Sequence, residues 1–261
     1  MKYIIFLCST VLFLSSCEDI IDLPVKDAEP KYVIEADLHN LSNKQIIKIS
    51  QTTRLNDVRP KKGIDQARVQ VENSKGQINR FSHIGEGNYI NLNFKPVEGE
   101  RYKLNVNIDG ELFTAYSTMP KYVEVDTLGF VEENVFGKEY YFLVVRFQDP
   151  PEEANFYKYN MSVNNGAMEF INVSSDKFNN GLNVEHRLSN KDNDLKEGDE
   201  VKLTRSTIDS AVYKYWNEYQ MTSLASASPG NPTSNISNGA LGFFSVRHTE
   251  EYEVKVPGFL K

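Results

Sequence analysis

The sequence predicts an all-β protein, in which an immunoglobulin-like β-sandwich is followed by a second β-sandwich-type domain with one packed C-terminal helix. Three observations carry this prediction. Strand-favouring Tyr, Val, Ile and Thr occur with turn-favouring Asn, Gly, Asp and Ser throughout the chain. About seven short segments of alternating polarity fill residues 31–119, which is the spacing of an immunoglobulin-like sandwich. Beyond residue 120, alternating or apolar segments continue, and one stretch has helical spacing.

We assign residues 31–119 to the first domain. Its opening segment, residues 32–39, alternates apolar and mostly polar side chains, as a half-buried strand does. Asp109-Gly110 separates two alternating segments and predicts a tight hairpin. Tyr102 follows the turn at Gly99 and leads into a strand, which predicts a tyrosine corner with a buried ring and a hydroxyl bonded to nearby backbone.

Residues 120–261 form the predicted second domain, because Pro120 cannot continue a strand ladder. The apolar segment 139–147 is typical of a buried central strand. Asn165-Gly166 predicts a hairpin turn. Residues 239–246 form the last predicted strand, and the residues after His248 are expected to be a charged tail.

The helix is predicted over about residues 207–225. Ser206 lies three residues before Asp209, which resembles a capping box. Helical spacing predicts a buried stripe formed by Ile208, Val212, Trp216 and Tyr219. On this reading Tyr213 is the better exposed aromatic residue, and we consider it a binding candidate.

The N-terminus predicts export and lipid anchoring. Residues 1–16 hold Lys2 and a short apolar stretch, too short for a permanent membrane helix, and are assigned as a signal peptide. The Leu-Ser-Ser-Cys pattern ending at Cys17 resembles a bacterial lipobox, so Cys17 is the predicted lipidation site; an ordinary secretory signal is the alternative. Residues 17–30 form a predicted acidic tether, which resembles a surface-export signal, although a plain linker has the same composition.

Composition excludes several functions. Removal of the signal leaves 28 basic and 36 acidic residues, a net charge of about −8, which argues against nucleic-acid binding. Cys8 lies in the signal and Cys17 carries the lipid, so no thiol remains for a disulfide, a metal site or a nucleophile. We find no catalytic motif, no cofactor-binding motif and no histidine pair with metal-ligand spacing. Glu35, Asp37 and His39 share one strand face, which we interpret as a solvated face rather than a metal site.

The uncharged loop within residues 226–237 supplies two further binding candidates, Asn231 and Asn235. Long ordered loops on rigid scaffolds often bind ligands. The alternative is a connector whose Asn side chains pin it to the fold. The sequence does not separate these two interpretations.

Several segments together resemble the Bacteroidota lipoprotein family known as domain of unknown function 4249. They are the mature start at Cys17, residues 29–36, the corner at Gly99 and Tyr102, and a closing segment at residues 231–244. The resemblance implies an accessory lipoprotein found beside TonB-dependent outer-membrane transporters. It implies no catalytic residue.

We therefore expect a lipid-anchored outer-membrane protein, facing the cell surface, that is a non-catalytic accessory or binding subunit of a TonB-dependent transporter or another envelope complex. Its predicted partners are the membrane lipid and that envelope protein. Two alternatives stay open. One is a surface lipoprotein that binds or hydrolyses glycans, for which hydrolysis requires two paired acids in a cleft. The other is a structural adhesin with a large exposed apolar patch.

Overall fold

The structure is a computed structural model that describes residues 29–53, 62–223 and 230–258. Its strands dominate these ranges, so the all-β prediction is confirmed. The signal peptide, Cys17 and the tether up to residue 28 lie outside the described residues. The strands are β1 (Tyr32–His39), β2 (Gln45–Gln51), β3 (Lys62–Gly63), β4 (Ala67–Asn73), β5 (Ile78–Gly85), β6 (Asn88–Asn91), β7 (Arg101–Ile108), β8 (Glu111–Thr118), β9 (Thr127–Val135), β10 (Lys138–Gln148), β11 (Phe156–Val163), β12 (Glu169–Ser175), β13 (Asn183–Leu188), β14 (Glu200–Thr207) and β15 (Leu241–Lys255). The helix, α1, spans Ser210–Ser223.

The N-terminal strands form a β-sandwich. One layer contains β1, β2 and β6, and the other contains β4, β7 and β8. Strand β5 joins the layers, because its first half pairs with β4 and its second half pairs with β6. Alternation places one face of each strand inside, so Ile34 and Leu38 of β1 share a core with Leu104 and Val106 of β7.

Tyr102 confirms the predicted tyrosine corner. Its ring is buried in the first core, and its hydroxyl accepts a hydrogen bond of 2.9 Å from the backbone N–H of Val97. The bond ties the loop before β7 to the strand itself. This arrangement is a hallmark of immunoglobulin-like sandwiches.

The second sandwich packs the sheet β12-β11-β14-β15 against the three-stranded sheet β13-β10-β9. Its core contains Tyr157 and Tyr159 of β11 and Phe147 of β10. Arg205 of β14 is also fully buried here. Its guanidinium carbon lies 4.4 Å from the ring centroid of Phe147 and 4.6 Å from that of Tyr157, so aromatic faces partly replace its hydration.

Strand β15 belongs to both sandwiches. Its first half pairs in parallel with β1, and its second half pairs antiparallel with β14. The close approach to β1 requires Gly242, because a Cβ there would lie 2.1 Å from the carbonyl oxygen of Ile34. The expected charged tail after His248 is therefore wrong: Tyr252 and Val254 alternate inward onto the second core, and the ladder continues to Lys255. The last segment of the predicted second domain thus contributes Phe244 and Val246 to the first core.

A strap, which we define as residues 231–240, bridges the edges of β8 and β15. The backbone N–H of Ser237 donates to the carbonyl of Thr114 on β8 (2.8 Å). The amide of Asn235 donates to the carbonyl of Phe244 (2.8 Å), and its oxygen accepts the N–H of the same residue (2.9 Å). Side chains and strap backbone thus close a seam between two strands that no ladder joins.

The helix differs from its prediction at the start. Residues 206 and 207 belong to β14, and Asp209 is the N-cap, with its Oδ1 accepting the backbone N–H of Val212 at 3.0 Å. The other carboxylate oxygen accepts the hydroxyl of Ser117, which ties the helix to β8. The predicted end at residue 225 lies outside the described residues. The Asn165-Gly166 turn is also shifted by one residue, since Asn164 and Asn165 have the positive φ angles.

Candidate functional site

A groove of about 820 Å³ opens along the side of the second sandwich, between the edge strands β12 and β13. The C-terminal half of α1 forms one wall and the loop after β13 forms the other. Its size is typical of small-molecule binding clefts. The groove is lined by Phe142, Glu169, Phe170, Ile171, Asn172, Arg187, Leu188, Ser189, Asn190, Lys191, Asn193, Tyr219 and Gln220.

The helix wall of the groove is aromatic. Tyr219 is 46% exposed, and its ring centroid lies 5.4 Å from that of Trp216 and 5.9 Å from that of Phe170, in edge-to-face geometry. Trp216 also packs on Phe170 at 4.8 Å. Since the rings brace one another, Tyr219 presents its remaining exposed surface from a rigid support.

The opposite wall is a polar turn. The side-chain oxygen of Asn190 accepts the backbone N–H of Asp194 at 3.0 Å, and its amide donates to the Asp194 carboxylate at 2.5 Å. Asn193 adopts a φ of 51°, a left-handed conformation that Asn tolerates well. These bonds fix the turn.

Two amide side chains lie at the strand edge inside the groove. The Oδ1 atom of Asn172 is buried and has no hydrogen-bond partner among the described residues. A buried acceptor without a partner is uncommon in folded proteins. The Oε1 atom of Gln220 accepts the backbone N–H of Val173 at 3.2 Å, so the helix covers one outward-facing group of edge strand β12.

The charges around the groove nearly balance. Glu169 is its one acidic lining residue, and Lys191 and Arg187 are its basic ones. Arg187 is already paired with Glu133 and, at 2.7 Å, with Glu185. Glycoside hydrolysis requires two cooperating carboxyl groups. The described lining residues include one carboxyl group, that of Glu169.

A second polar cluster joins the two sandwiches near the helix. Arg247 donates to both carboxylate oxygens of Asp37, at 2.6 Å and 3.1 Å. Lys158 lies 3.8 Å from the same carboxylate and 3.9 Å from the ring centroid of Trp216. Burial lowers the pKa of Lys158 to about 8, with Asp37 acting in the opposite direction. Burial alone would raise the pKa of Asp37, but the Arg247 and Lys158 cations hold it well below its usual value.

This cluster changes the interpretation of the β1 face. Glu35 is exposed as predicted, whereas Asp37 and His39 are half-buried, and Asp37 is engaged by two cations. Because its carboxylate is already saturated with donors, Asp37 acts as an ion-pair partner across the two sandwiches. Within the described ranges, no three His, Cys, Asp or Glu side chains converge as a metal site would require.

The predicted binding residues are dispersed. Tyr213 packs on Phe156 with ring centroids 4.9 Å apart, and Asn231 is exposed on the strap. Asn235 uses its amide to hold Phe244, as in the connector interpretation. None of the three lines the groove. Cys17, the predicted lipidation site, lies outside the described residues.

Sequence reasoning missed the groove residues. Helical spacing placed Tyr219 in the core, which is wrong, because its side chain is 46% exposed and lines the groove beside edge strand β12. The turn-favouring residues Asn190 and Asn193 could have predicted the polar turn that forms one wall. Nothing in the sequence places that turn opposite Tyr219. Two groove residues, Asn172 and Gln220, carried no distinguishing pattern.

The family model described as "Domain of unknown function (DUF4249)" matches residues 18–253. A solved two-domain fibronectin type III segment from chicken tenascin is similar at 12% identity and a TM-score of 0.25, covering 87% of this chain and 99% of that one. No curated protein matches the chain. Among the described residues, no helix has the length and apolar character needed to cross a membrane.

Proposed function

This chain belongs to the DUF4249 family, and we propose that it is a non-catalytic binding lipoprotein, anchored in the outer membrane through Cys17 and facing the cell surface. Its role is that of an accessory subunit of a TonB-dependent transporter or another envelope complex. The observation that carries the binding role is the preformed groove beside Tyr219, which has a single acidic lining residue.

The anchor is supported by the N-terminal sequence. Lys2, the short apolar segment and the small residues before Cys17 form a lipobox-like signal. The family match begins at residue 18, directly after the proposed lipidated residue. The net negative charge disfavours electrostatic attachment to an anionic membrane, so the acyl chains would supply the attachment.

Anchoring gives a physical mechanism for the accessory role. A tethered protein meets a partner in the same membrane at a high effective concentration, so a modest intrinsic affinity is sufficient. The acidic segment 17–30 would act as a spacer between the bilayer and the first sandwich. The groove lies in the second sandwich. Along the sequence, the strands of the first sandwich therefore separate it from the spacer.

Two experiments test this proposal. The full chain with a tag after Lys261 is expressed beside a Cys17→Ala variant, and membrane fractions are treated with an external protease. We expect the unaltered chain in the outer membrane and accessible to the protease, and the variant in a soluble fraction. Recovery of the unaltered mature chain from the soluble periplasm would overturn the anchoring.

The accessory role is tested by gentle solubilisation and purification through the same tag. A stoichiometric outer-membrane transporter or other envelope protein among the co-purifying chains supports the role. A partnerless monomer contradicts it. Release of reducing ends from glycans incubated with the purified chain would contradict the non-catalytic part.

A further inference from the structure

We propose that the groove binds a neutral oligosaccharide, with one sugar ring stacked on Tyr219 and its hydroxyl groups bonded to the amides of the groove. This inference rests on the proposed binding role and names the ligand class of the same site. The stacking surface, the hydrogen-bonding groups and the charge balance each support it.

Tyr219 provides the stacking surface. The C–H face of a pyranose ring is apolar and slightly positive, which complements the negative face of an aromatic ring. Tyr219 is 46% exposed, and its ring lies edge-to-face with those of Trp216 and Phe170. Stacking therefore needs little ordering of the protein, and a preformed surface lowers the entropic cost of binding.

The amides provide hydrogen-bonding groups of the right kind. Each amide offers a carbonyl acceptor and an NH₂ donor, which match hydroxyl groups that both donate and accept. Asn172 on β12, Asn190 after β13 and Gln220 on α1 line the groove from three sides.

The charge balance favours a neutral sugar over an acidic one. Lys191 and Glu169 both line the groove, and Arg187 is occupied by Glu133 and Glu185. The two remaining lining charges, those of Lys191 and Glu169, sum to zero, so the groove as a whole does not favour a uronate or a phosphate. A neutral ligand also avoids the cost of removing an ionised group from water.

A peptide strand added to the edge of β12 fits less well. Strand addition needs free backbone groups along the edge. The N–H of Val173 is already bonded to Gln220. The ladder between β11 and β12 is also irregular at Tyr159 and Asn160, and such a bulge protects an edge against further pairing.

The single tryptophan of the chain reports on this site directly. Trp216 lies 5.4 Å from Tyr219, so a sugar stacked on Tyr219 changes the surroundings of the only indole. The full-length, detergent-solubilised chain is titrated with maltohexaose, cellohexaose, xylohexaose, mannohexaose and the acidic hexamer of galacturonic acid. Tryptophan emission is followed, and calorimetry confirms each response.

We expect at least one neutral hexaose to shift the emission and the galacturonic acid hexamer to leave it unchanged. Tyr219→Ala should weaken binding by about tenfold or more, since aromatic anchors carry much of the energy at such sites, whereas Tyr219→Phe should bind nearly as well. The matched control is Tyr116→Ala on β8, because Tyr116 is 47% exposed and lies outside the groove. Circular dichroism checks that each variant is folded.

The inference is overturned if no neutral hexaose gives a saturable response, or if Tyr219→Ala binds as the unaltered chain does. The proposed function is tested separately by fractionation and co-purification. A chain that is anchored and captures an envelope partner, but ignores every neutral hexaose, would retain the proposed function and lose this ligand class.

Discussion

Arg247 and Asp37 form a two-pronged ion pair, with the guanidinium Nε 2.6 Å from one carboxylate oxygen and Nη2 3.1 Å from the other. The pair crosses from β15 to β1, and Arg247 also donates to Ser206 on β14 at 2.6 Å. The side chain of Arg247 on β15 thus links its own strand to both neighbours, β1 and β14. Because β1 belongs to the first sandwich and β14 to the second, the pair fixes their relative position at the shared strand.

Removal of the acid from this cluster should destabilise the fold. In Asp37→Asn, Arg247 and Lys158 remain as two cations in a poorly hydrated site without a counter-charge. Loss of one partner of a buried pair typically costs about 3–5 kcal/mol, and the partial exposure of Asp37 brings our expectation to about 3 kcal/mol. Urea unfolding at pH 7 measures the change in free energy of unfolding.

Glu251→Gln is the control for that experiment. Glu251 pairs with Lys202 at 3.1 Å, with both side chains about 40% exposed. Exposed pairs contribute about 1 kcal/mol or less. An Asp37→Asn variant no less stable than this control would contradict the structural role of the cluster.

Lys158 should make stability rise with pH under mildly alkaline conditions. Burial lowers its pKa to about 8 from an ordinary value of 10.5, so above pH 8 the unfolded chain binds a proton that the folded chain has lost. Stability therefore increases as pH rises, by at most about tenfold in the folding equilibrium per pH unit. The useful window ends near pH 9.5, because tyrosines of the unfolded chain then ionise and act in the opposite direction.

The test compares unfolding of the unaltered chain and Lys158→Met at pH 8 and pH 9.5. Methionine keeps a long apolar stem beside Trp216 and cannot titrate. We expect the rise in stability to be smaller in the variant, whatever its absolute stability. Parallel pH profiles for the two proteins would rule out the buried lysine as the cause.

His186 should weaken the fold in mild acid. Its Nδ1 lies 2.8 Å from the hydroxyl of Tyr159 and its Nε2 lies 3.2 Å from that of Ser174. Burial, reinforced by the Arg205 cation, lowers the pKa of His186 to about 4 from 6.5. Between these values the unfolded chain takes up a proton that the folded chain does not, so stability falls as pH falls from 6.5 towards 4.

From pH 7 to pH 5 this residue should remove about 2 kcal/mol of stability. His186→Gln keeps groups that can bond Tyr159 and Ser174 but does not titrate in this range. Carboxyl groups elsewhere affect both proteins equally, so the difference between their pH profiles isolates His186. If the variant lost as much stability as the unaltered chain, the acid sensitivity would have to arise elsewhere.

Local sequence predicted those parts of the fold that depend on local chemistry. Period-two alternation located β1 at its observed bounds, and the spacing between Gly99 and Tyr102 identified the corner. These features depend on a few adjacent residues. Strand β15 was predicted only in part. The composition of its second half is that of a charged tail, and it forms a strand because it pairs with β14.

The site depended on contacts between residues distant in sequence, so it was not predicted. Tyr219 and Asn190 line the same groove only because β12 and β13, which are edge strands of two different sheets, both border it. Arg205 shows the same effect, since an arginine in an alternating strand is normally expected to face solvent. Its burial depends on the rings of Phe147 and Tyr157, which come from two other strands.

Asn235 offers the sharpest test of the strap. Its side chain satisfies both the N–H and the carbonyl of Phe244, a fully buried residue at the start of β15. Asn235→Ala leaves both backbone groups without that partner, so we expect a loss of about 2–3 kcal/mol in the free energy of unfolding. Asn235→Asp keeps an acceptor for the N–H but cannot donate to the carbonyl. Its free energy of unfolding should therefore lie between that of the unaltered chain and that of Asn235→Ala.

Hydrogen exchange at the Phe244 amide gives the local readout, and should accelerate in Asn235→Ala. Asn231→Ala, at an exposed position of the same strap, is the matched control and should change stability by about 0.5 kcal/mol or less. The two substitutions remove the same side chain from one segment. Equal losses of stability at both positions would mean that groups other than Asn235 hold β8 and β15 together. A large loss at Asn235 alone would show that the strap stabilises the fold through this residue, and would leave Asn231 as the binding candidate of the strap.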